Sequence, residues 1–519
     1  MERMIKLNKL VTVEPVLFLH TVATLLEISI FQDLIRMKVC LQEAGVHNTS
    51  VCEHLDKYVF RSVQDSTVIW VRYYNVVLNG CGLIGCTYLG SWGDRFGRKI
   101  PLVIPPLGSI LACINYIIVS TYILKGRVSL LLISAVITGF SGGSIAMAAN
   151  SFGYLSDITT EANRTLRTVI LEAMLFIGGT IGLYIGGTML RVTGYSSVFL
   201  LEMTLCAIDI LYILFCLKDI KPINESQPVK ATNQPVEDSN QPVKDTNQPV
   251  KDTNQPVKDT NQHDNDSNQH VKDSNQSVKD TRGVCQKLFG IDHVLDMLKT
   301  TFKQRPQNKR KYILLVGIAT TLAYYGLEAQ LDLLYIYVTD DPLLWDQRSY
   351  SYFSGLNFGL CGAFLLIGLP LTYRWFQIPD ALLGIMGTLS RGFGLTLLSL
   401  STTTVMVLIC PALFVFSEYA VPAARSIQSK LVEENERGKI FAFLATMQNV
   451  CFLTGPLLFN SLYPVTATFF KGFPFALAAL FELIAAMIFG YLFKEFKRSP
   501  SLLTKIPLDT VKEEPVQTQ

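Results

Sequence analysis

Charge is scarce in this chain. Of its 519 residues 17% are Asp, Glu, Lys or Arg and 49% are apolar, against roughly 25% charged in an ordinary soluble protein. One tract inflates even that figure. Residues 226–281 hold 15 charged and 8 apolar residues out of 56, so the remainder is more apolar still. This balance excludes a cytosolic enzyme and a disordered scaffold, and suits a polytopic membrane protein. The net charge is only +3, with no basic arm and no aromatic-basic cluster, which excludes nucleic acid as a partner. No CxxC pair and no Cys/His zinc spacing occurs, so no metal is expected. No nucleophile–base set or nucleotide loop is recognisable either, so neither an enzyme nor an organic cofactor is expected. Histidine is rare: of His20, His47, His54, His263, His270 and His293, only His20 falls in an apolar run. A small-residue cleavage site is missing after the first apolar run, which carries Glu14, Glu27 and Asp33; that run reads as a retained span and not as a cleaved signal peptide.

What is present is length in apolar runs. One block extends from about Val11 to Leu217 and a second from about Tyr312 to Phe493. At about 20 residues per transmembrane helix, each block holds six spans. In the first they are expected at 13–35, 70–91, 100–122, 129–151, 168–190 and 197–217, in the second at 312–337, 351–373, 380–401, 403–424, 440–460 and 472–493. The fold class is therefore all-α, with 12 transmembrane helices in two six-helix halves. The domains are 1–217, a cytoplasmic linker at 218–311, 312–493 and a cytoplasmic tail at 494–519. Two groups of six suit a carrier better than a channel.

Lys and Arg cluster at one set of helix ends: Arg3, Lys6 and Lys9; Arg95, Arg98 and Lys99; Arg164 and Arg167; Arg374; Arg425, Lys430, Arg437 and Lys439; Lys494, Lys497 and Arg498. The positive-inside rule puts that side, and both termini, in the cytoplasm. The loop 36–69 then lies outside and carries the glycosylation sequon Asn48-Thr49-Ser50. Cys40 and Cys52 flank that sequon and are either free or paired with each other. The cysteines in apolar runs (Cys81, Cys86, Cys113, Cys206, Cys216, Cys361, Cys410 and Cys451) read as small buried hydrophobes.

Residues 226–281 contain eight copies of a seven-residue unit close to Asn-Gln-Pro-Val-Lys-Asp-Thr. The period suggests a coiled coil, but recurrent Pro and the want of two apolar seam positions reject it. The tract reads as a disordered linker, followed by a short amphipathic helix near Leu288–Phe302.

Between the second and third spans stands Gly90-Ser-Trp-Gly-Asp94-Arg95-Phe-Gly97-Arg98-Lys99. Gly90 and Gly97 permit tight turns and close helix approach. Asp94 can pair with a basic group and latch neighbouring helix ends, and Arg95, Arg98 and Lys99 hold the loop inside. The segment resembles motif A of the major facilitator superfamily, G-x-x-x-D-R-x-G-R-K, which implies a carrier that rocks between two states.

Several ionisable residues fall inside spans, where a charge is costly unless paired, hydrated or protonated. Glu172 lies in the fifth span below Gly178, Gly182 and Gly186, which form a smooth stripe on which helices pack and slide. Glu328 and Asp332 are four apart in the seventh span and share a face; their place suggests a partly hydrated vestibule. Asp209 and Glu418 are similar candidates, whereas Glu202 and Glu482 read as structural. Arg391 in the ninth span either binds an anion or pairs with a carboxylate. Arg425 follows Pro422 at the end of the tenth span and suits an anion contact.

Further segments resemble solute carrier family 46: Val13-Glu14-Pro15-Val16-Leu17-Phe18-Leu19, Leu171-Glu172-Ala173, Arg425 with Ser429-Lys430-Leu431-Val432, and Ser461-Leu-Tyr-Pro464-Val-Thr running to Lys471-Gly-Phe-Pro474-Phe. That resemblance implies proton-driven uptake of organic anions, folate-like or related, by alternating access. It assigns Glu172 and Asp157 to proton coupling and Arg425 to the substrate path. The folate-transporting branch carries a histidine before a Gly in the seventh span; here Ala323-Tyr324-Tyr325-Gly326 stands instead, and Tyr325 is taken as a substrate-lining residue with Glu328, Asp332 and Arg391. The proton is the expected coupling ion, an organic anion and the lipid bilayer the expected partners. Plasma and endolysosomal membranes both fit. Two other readings stand beside this one: a proton-independent facilitator or exporter, and a transport-inactive receptor or scaffold that docks through its repeat linker.

Overall fold

The computed structural model describes residues 12–43, 52, 57–121, 127–159, 161–218, 291–433 and 436–499. The repeat tract 226–281, the sequon Asn48 and most of the tail therefore lie outside the described residues, as do the side chains of Asp94 and Arg95.

Among the described residues there is helix and no strand. The first six spans are Glu14–Glu43, Lys57–Phe96, Lys99–Thr121, a fourth in two pieces (Leu131–Phe140 and Gly143–Ile158), Glu161–Thr193 and Tyr195–Cys216. The last six are Lys309–Thr339; Gln347–Ala363 with its continuation to Phe376; Asp380–Ser399; Thr404–Phe414 with Ala420–Leu431; Arg437–Thr466; and Phe473–Arg498. Eleven of them are long and apolar enough to cross a membrane. The second is the exception by composition: between Arg72 and Asp94 it has no charge, but Asn75, Asn79, tyrosines and glycines dilute its apolar residues. The charges at its two ends, Lys57, Arg61 and Asp65 before and Asp94 and Arg95 after, hid its length from the sequence, which suggested 70–91 where the helix runs from Lys57 to Phe96.

The break in the fourth span has a local cause. Gly142 (φ +80°) and Gly143 (φ +50°) sit in the left-handed region, which glycine enters without steric cost. The tenth span breaks again around Ser417–Tyr419. The amphipathic helix after the linker runs Ile291–Phe302 and packs on the eleventh span.

Within the first half, the first span lies along the fifth, and the third along the sixth. Within the second half, the twelfth span packs on the seventh and ninth. The outward faces of the third and sixth spans carry exposed Leu107, Leu111, Ile114, Ile118, Leu200, Ile208, Leu211 and Leu214. Apolar residues turned outward along whole helices are what a hydrocarbon surround requires, since there every backbone polar group is satisfied inside its own helix.

Glycine sets two close seams on the fifth span. A Cβ on Gly182 would stand 2.5 Å from the Val22 carbonyl, and one on Gly186 2.9 Å from that of Leu26, so the expected stripe is the face laid on the first span. A second row points the other way. Gly179 meets Phe358 and Gly187 meets Ser351 of the eighth span, whose own Gly355, Gly359 and Gly362 receive Tyr184, Thr180 and Phe176. This reciprocal seam joins the two halves.

Candidate functional site

Among the described residues the two halves touch along several pairs of spans. The fifth and eighth meet on the glycine seam. The second and eleventh meet where Arg72 donates to Ser461 Oγ at 2.8 Å and Asn79 donates to the Phe452 carbonyl at 2.7 Å. The first and seventh meet where the Tyr335 hydroxyl donates to Asp33 Oδ1 at 2.7 Å, and Asp33 also receives the Tyr195 hydroxyl at 2.6 Å. Asp33, Arg72, Tyr195, Tyr335 and Ser461 lie in the parts of their helices remote from the Gly90–Lys99 motif, whereas Asn79 and Phe452 lie near the middles of theirs.

Glu328 and Asp332, expected in a hydrated vestibule, belong to this closed region. Both are buried, at 7% and 3% exposure. Asp332 Oδ2 accepts from Asn460 Nδ2 at 2.6 Å, and its Oδ1 accepts from Asn75 of the other half. Glu328 is pressed against Gly455, where no side chain would fit. The vestibule is absent because amide donors from both halves occupy Asp332. Tyr325 bonds Thr454 through its hydroxyl at 2.7 Å and packs edge-on against Phe459 and Phe481.

Nearer the motif, one pair stands open across the halves. Glu172 of the fifth span, partly buried, lies within electrostatic reach of Arg425 of the tenth, which is exposed. The Tyr324 hydroxyl faces the Arg425 guanidinium and has no hydrogen-bond partner of good geometry. The three groups come from the fifth, seventh and tenth spans. They combine a cation, a carboxyl group that can take up a proton and a neutral donor.

Arg391, left between two roles by the sequence, is an ion-pair residue. Its Nη2 donates to Glu418 Oε1 at 2.7 Å, and its Nε lies 3.7 Å from Glu482 Oε1. Glu482 lies inside this cluster with no exposed surface, not near a span end.

The motif has an internal logic of its own. Gly97 adopts φ +102° in the turn into the third span. Gly90, by contrast, has nothing within 4 Å of its Cβ position, and the close approach falls to Gly93, 2.6 Å from Asn150 Oδ1. Arg98 Nε donates to Asp157 Oδ2 at 2.7 Å, over Gly153, where any Cβ would strike the guanidinium. Asp157, assigned by resemblance to proton coupling, is therefore engaged with the motif and does not stand beside Glu172. Lys99 Nζ donates to the Leu214 carbonyl at 2.8 Å. Cys40 and Cys52 are joined in a disulfide, with Cα atoms 6.2 Å apart.

Sequence reasoning passed over Asp33, Asn75 and Asn460. A polar residue at each such position was visible; what was not visible was that each is turned toward a partner on another span.

The family model of the Major Facilitator Superfamily matches residues 76–456. Among characterised proteins, the chain is 27% identical to the proton-coupled folate transporter of Bos taurus, over 94% of this chain and 95% of that one. It is 25% identical to the lysosomal proton-coupled steroid conjugate and bile acid symporter of Gallus gallus, over 92% and 93%. Among solved structures it is similar to a POT family transporter in complex with a thioalcohol conjugated peptide (TM-score 0.58, 13% identity, 95% and 96% covered). It is also similar to the human organic anion transporter MFSD10 (TM-score 0.57, 12% identity, 92% and 97% covered).

Proposed function

The chain belongs to the major facilitator superfamily, and on that premise we propose that this multi-pass membrane transporter is a proton-coupled importer of small organic anions. The observation that carries the reading is the placement of Glu172 of one half within electrostatic reach of Arg425 of the other. When Glu172 is ionised it competes with an anionic substrate for the Arg425 guanidinium. When Glu172 takes up a proton the competition ends, and Arg425 binds the substrate carboxylate through charge-assisted, bidentate hydrogen bonds. Proton and anion thus bind together, and neither is favoured alone. Tyr324 contributes a neutral donor beside the same oxygens.

Contacts between the halves that lie away from the motif leave the Glu172–Arg425 level as the side open to solute. With the basic helix ends in the cytoplasm, this state faces inward, and Arg98–Asp157, both of the first half, holds the motif loop to the end of the fourth span. The names of the relatives, a folate transporter and a lysosomal steroid conjugate and bile acid symporter, support organic anions of the folate, steroid-conjugate or bile-acid kind as the substrate class, and the second of them keeps a lysosomal membrane as an address beside the plasma membrane.

The test is uptake into transporter-null cells, in acidic and in neutral medium, of labelled folates, antifolates, steroid sulfates and small muropeptides. Uptake of one class that rises in acid and loses its pH dependence in Glu172→Gln is the expected result. Uptake indifferent to pH in the native protein points to facilitated transport and overturns the coupling. No uptake of any probe by protein at the surface, followed by none in lysosomal vesicles, overturns the carrier reading.

A further inference from the structure

A second charge cluster lies in the half that holds Arg425, and the transport cycle above leaves it unused. Arg391 of the ninth span is 4% exposed and Glu482 of the twelfth 0%. One guanidinium faces two carboxyl groups and is committed to one of them. Its Nη2 bonds Glu418 at 2.7 Å, whereas the 3.7 Å from its Nε to Glu482 is too long for a hydrogen bond. Arg391 Nη1 and both oxygens of Glu482 have no hydrogen-bond partner. The seventh span closes the cluster from the other side, because Gly326 lies directly on the Glu482 carboxyl group with no space for a side chain between them. The titratable groups around the cluster are Tyr324 of the seventh span, Cys361 of the eighth, Arg391 of the ninth, and Glu418 and Arg425 of the tenth.

Charge arithmetic decides the state. Arg391 and Glu418 neutralise each other. An ionised Glu482 would place a second negative charge, fully buried and without a hydrogen-bond donor, against one guanidinium already committed to Glu418, leaving a net buried charge that is costly to hold. We propose that Glu482 is a second proton site of this carrier, protonated in the present state and discharged when Arg391 moves from Glu418 to Glu482. The step balances: Glu482 loses its proton and becomes the partner of Arg391, while Glu418 leaves Arg391 and takes that proton up. The Glu418 side chain is 25% exposed, so it exchanges the proton with water. Glu418 also faces Tyr324, which faces Arg425, so the exchange alters charge beside the substrate arginine.

The use of this site in transport rests on the carrier reading, but its test needs no substrate. Infrared difference spectra of the purified full-length protein at neutral pH read the carbonyl band of protonated carboxyl groups. Wild type minus Glu482→Gln is expected to show one such band lost. Wild type minus Glu418→Gln, where Arg391 is released to Glu482 without any change at residue 482, is expected to lose the same band; this arm stands even where Glu482→Gln fails to fold. An unchanged band in Glu418→Gln overturns the proposal. Loss of the band in Glu172→Gln instead, with no loss in Glu482→Gln, assigns the proton to the interface between the halves; it overturns the second site and leaves the carrier reading intact.

Discussion

Arg425 of the tenth span faces Glu172 of the fifth across the boundary between the two six-helix halves. A cation on one half and a protonatable group on the other, within electrostatic reach of one another, respond together to what is bound between them. The identity of the cation matters as much as its charge. Arg offers a planar fork that meets a carboxylate through two parallel hydrogen bonds, whereas Lys is a point charge. Arg425→Lys is expected to weaken the apparent affinity for the transported anion about tenfold, or about 1.4 kcal/mol, with a smaller change in maximal rate. Concentration-dependent uptake checks it; an unchanged affinity would remove Arg425 from the substrate contact.

The division into two apolar blocks, the motif between the second and third spans and the linker between the halves were legible because each is a local pattern: run length, residue spacing, composition. The partners of buried polar groups were not. Asp332 reads as a vestibule residue until Asn75 and Asn460, 257 and 128 residues away, are brought onto it. Arg391, Glu418 and Glu482 were each visible, but that Arg391 bonds Glu418 and leaves Glu482 without a hydrogen bond beside it depends on how the ninth, tenth and twelfth spans turn toward one another. On the fifth span the stripe Gly178, Gly182 and Gly186 was legible from its four-residue period. The row beside it, Gly179 and Gly187, takes its meaning only from the glycines of the eighth span, which no spacing within the fifth reveals.

Those two glycine rows make opposite predictions. Gly182 fits against the Val22 carbonyl within one half, and Gly187 against Ser351 of the other half, each with a Cβ position 2.5 Å from its neighbour. Gly182→Ala forces backbone apart inside a half and is expected to lower the melting temperature in detergent. Gly187→Ala collides only where the halves touch. It is expected to leave the melting temperature near that of wild type while lowering the disulfide cross-linking yield of a Tyr184→Cys/Gly355→Cys pair placed on the same seam. Equal melting shifts for both variants would show that the seam between the halves is as permanent as the packing within one.

The strongest single anchor at the basic end is Glu14. Its Oε1 accepts from Arg167 Nη2 at 2.6 Å and from Nε at 3.0 Å, and both side chains are more than nine-tenths buried. Removing one partner of a buried pair leaves the other charge uncompensated, at about 3–5 kcal/mol. Glu14→Gln is therefore expected to cause a large loss of thermal stability, and the double change Glu14→Gln/Arg167→Met to restore much of it. If the double variant is as unstable as the single, the loss comes from disturbed packing and not from the stranded guanidinium.

Glu436 ties the amphipathic helix Ile291–Phe302 to the eleventh span from outside the membrane-spanning segments. Its two oxygens accept from Lys303 and Arg305, each at 2.9 Å. Burial pushes the Glu436 carboxyl up, but the bonds from Lys303 and Arg305 outweigh it and hold the group below its ordinary value. A carboxylate held low in this way contributes its anchoring in full above the unperturbed value, about 4.3. That contribution falls away as pH drops through the lower, folded value. The segment should therefore be fixed at neutral pH and released only in strong acid. A spin label on Lys299→Cys, at an exposed position of that helix, is expected to be immobile at neutral pH and to gain mobility only in acid below the ordinary carboxylate range. With Glu436→Gln added, the label should already be mobile at neutral pH. A label equally immobile in both proteins would mean that apolar packing on the eleventh span holds the helix, and that Glu436 adds nothing to it.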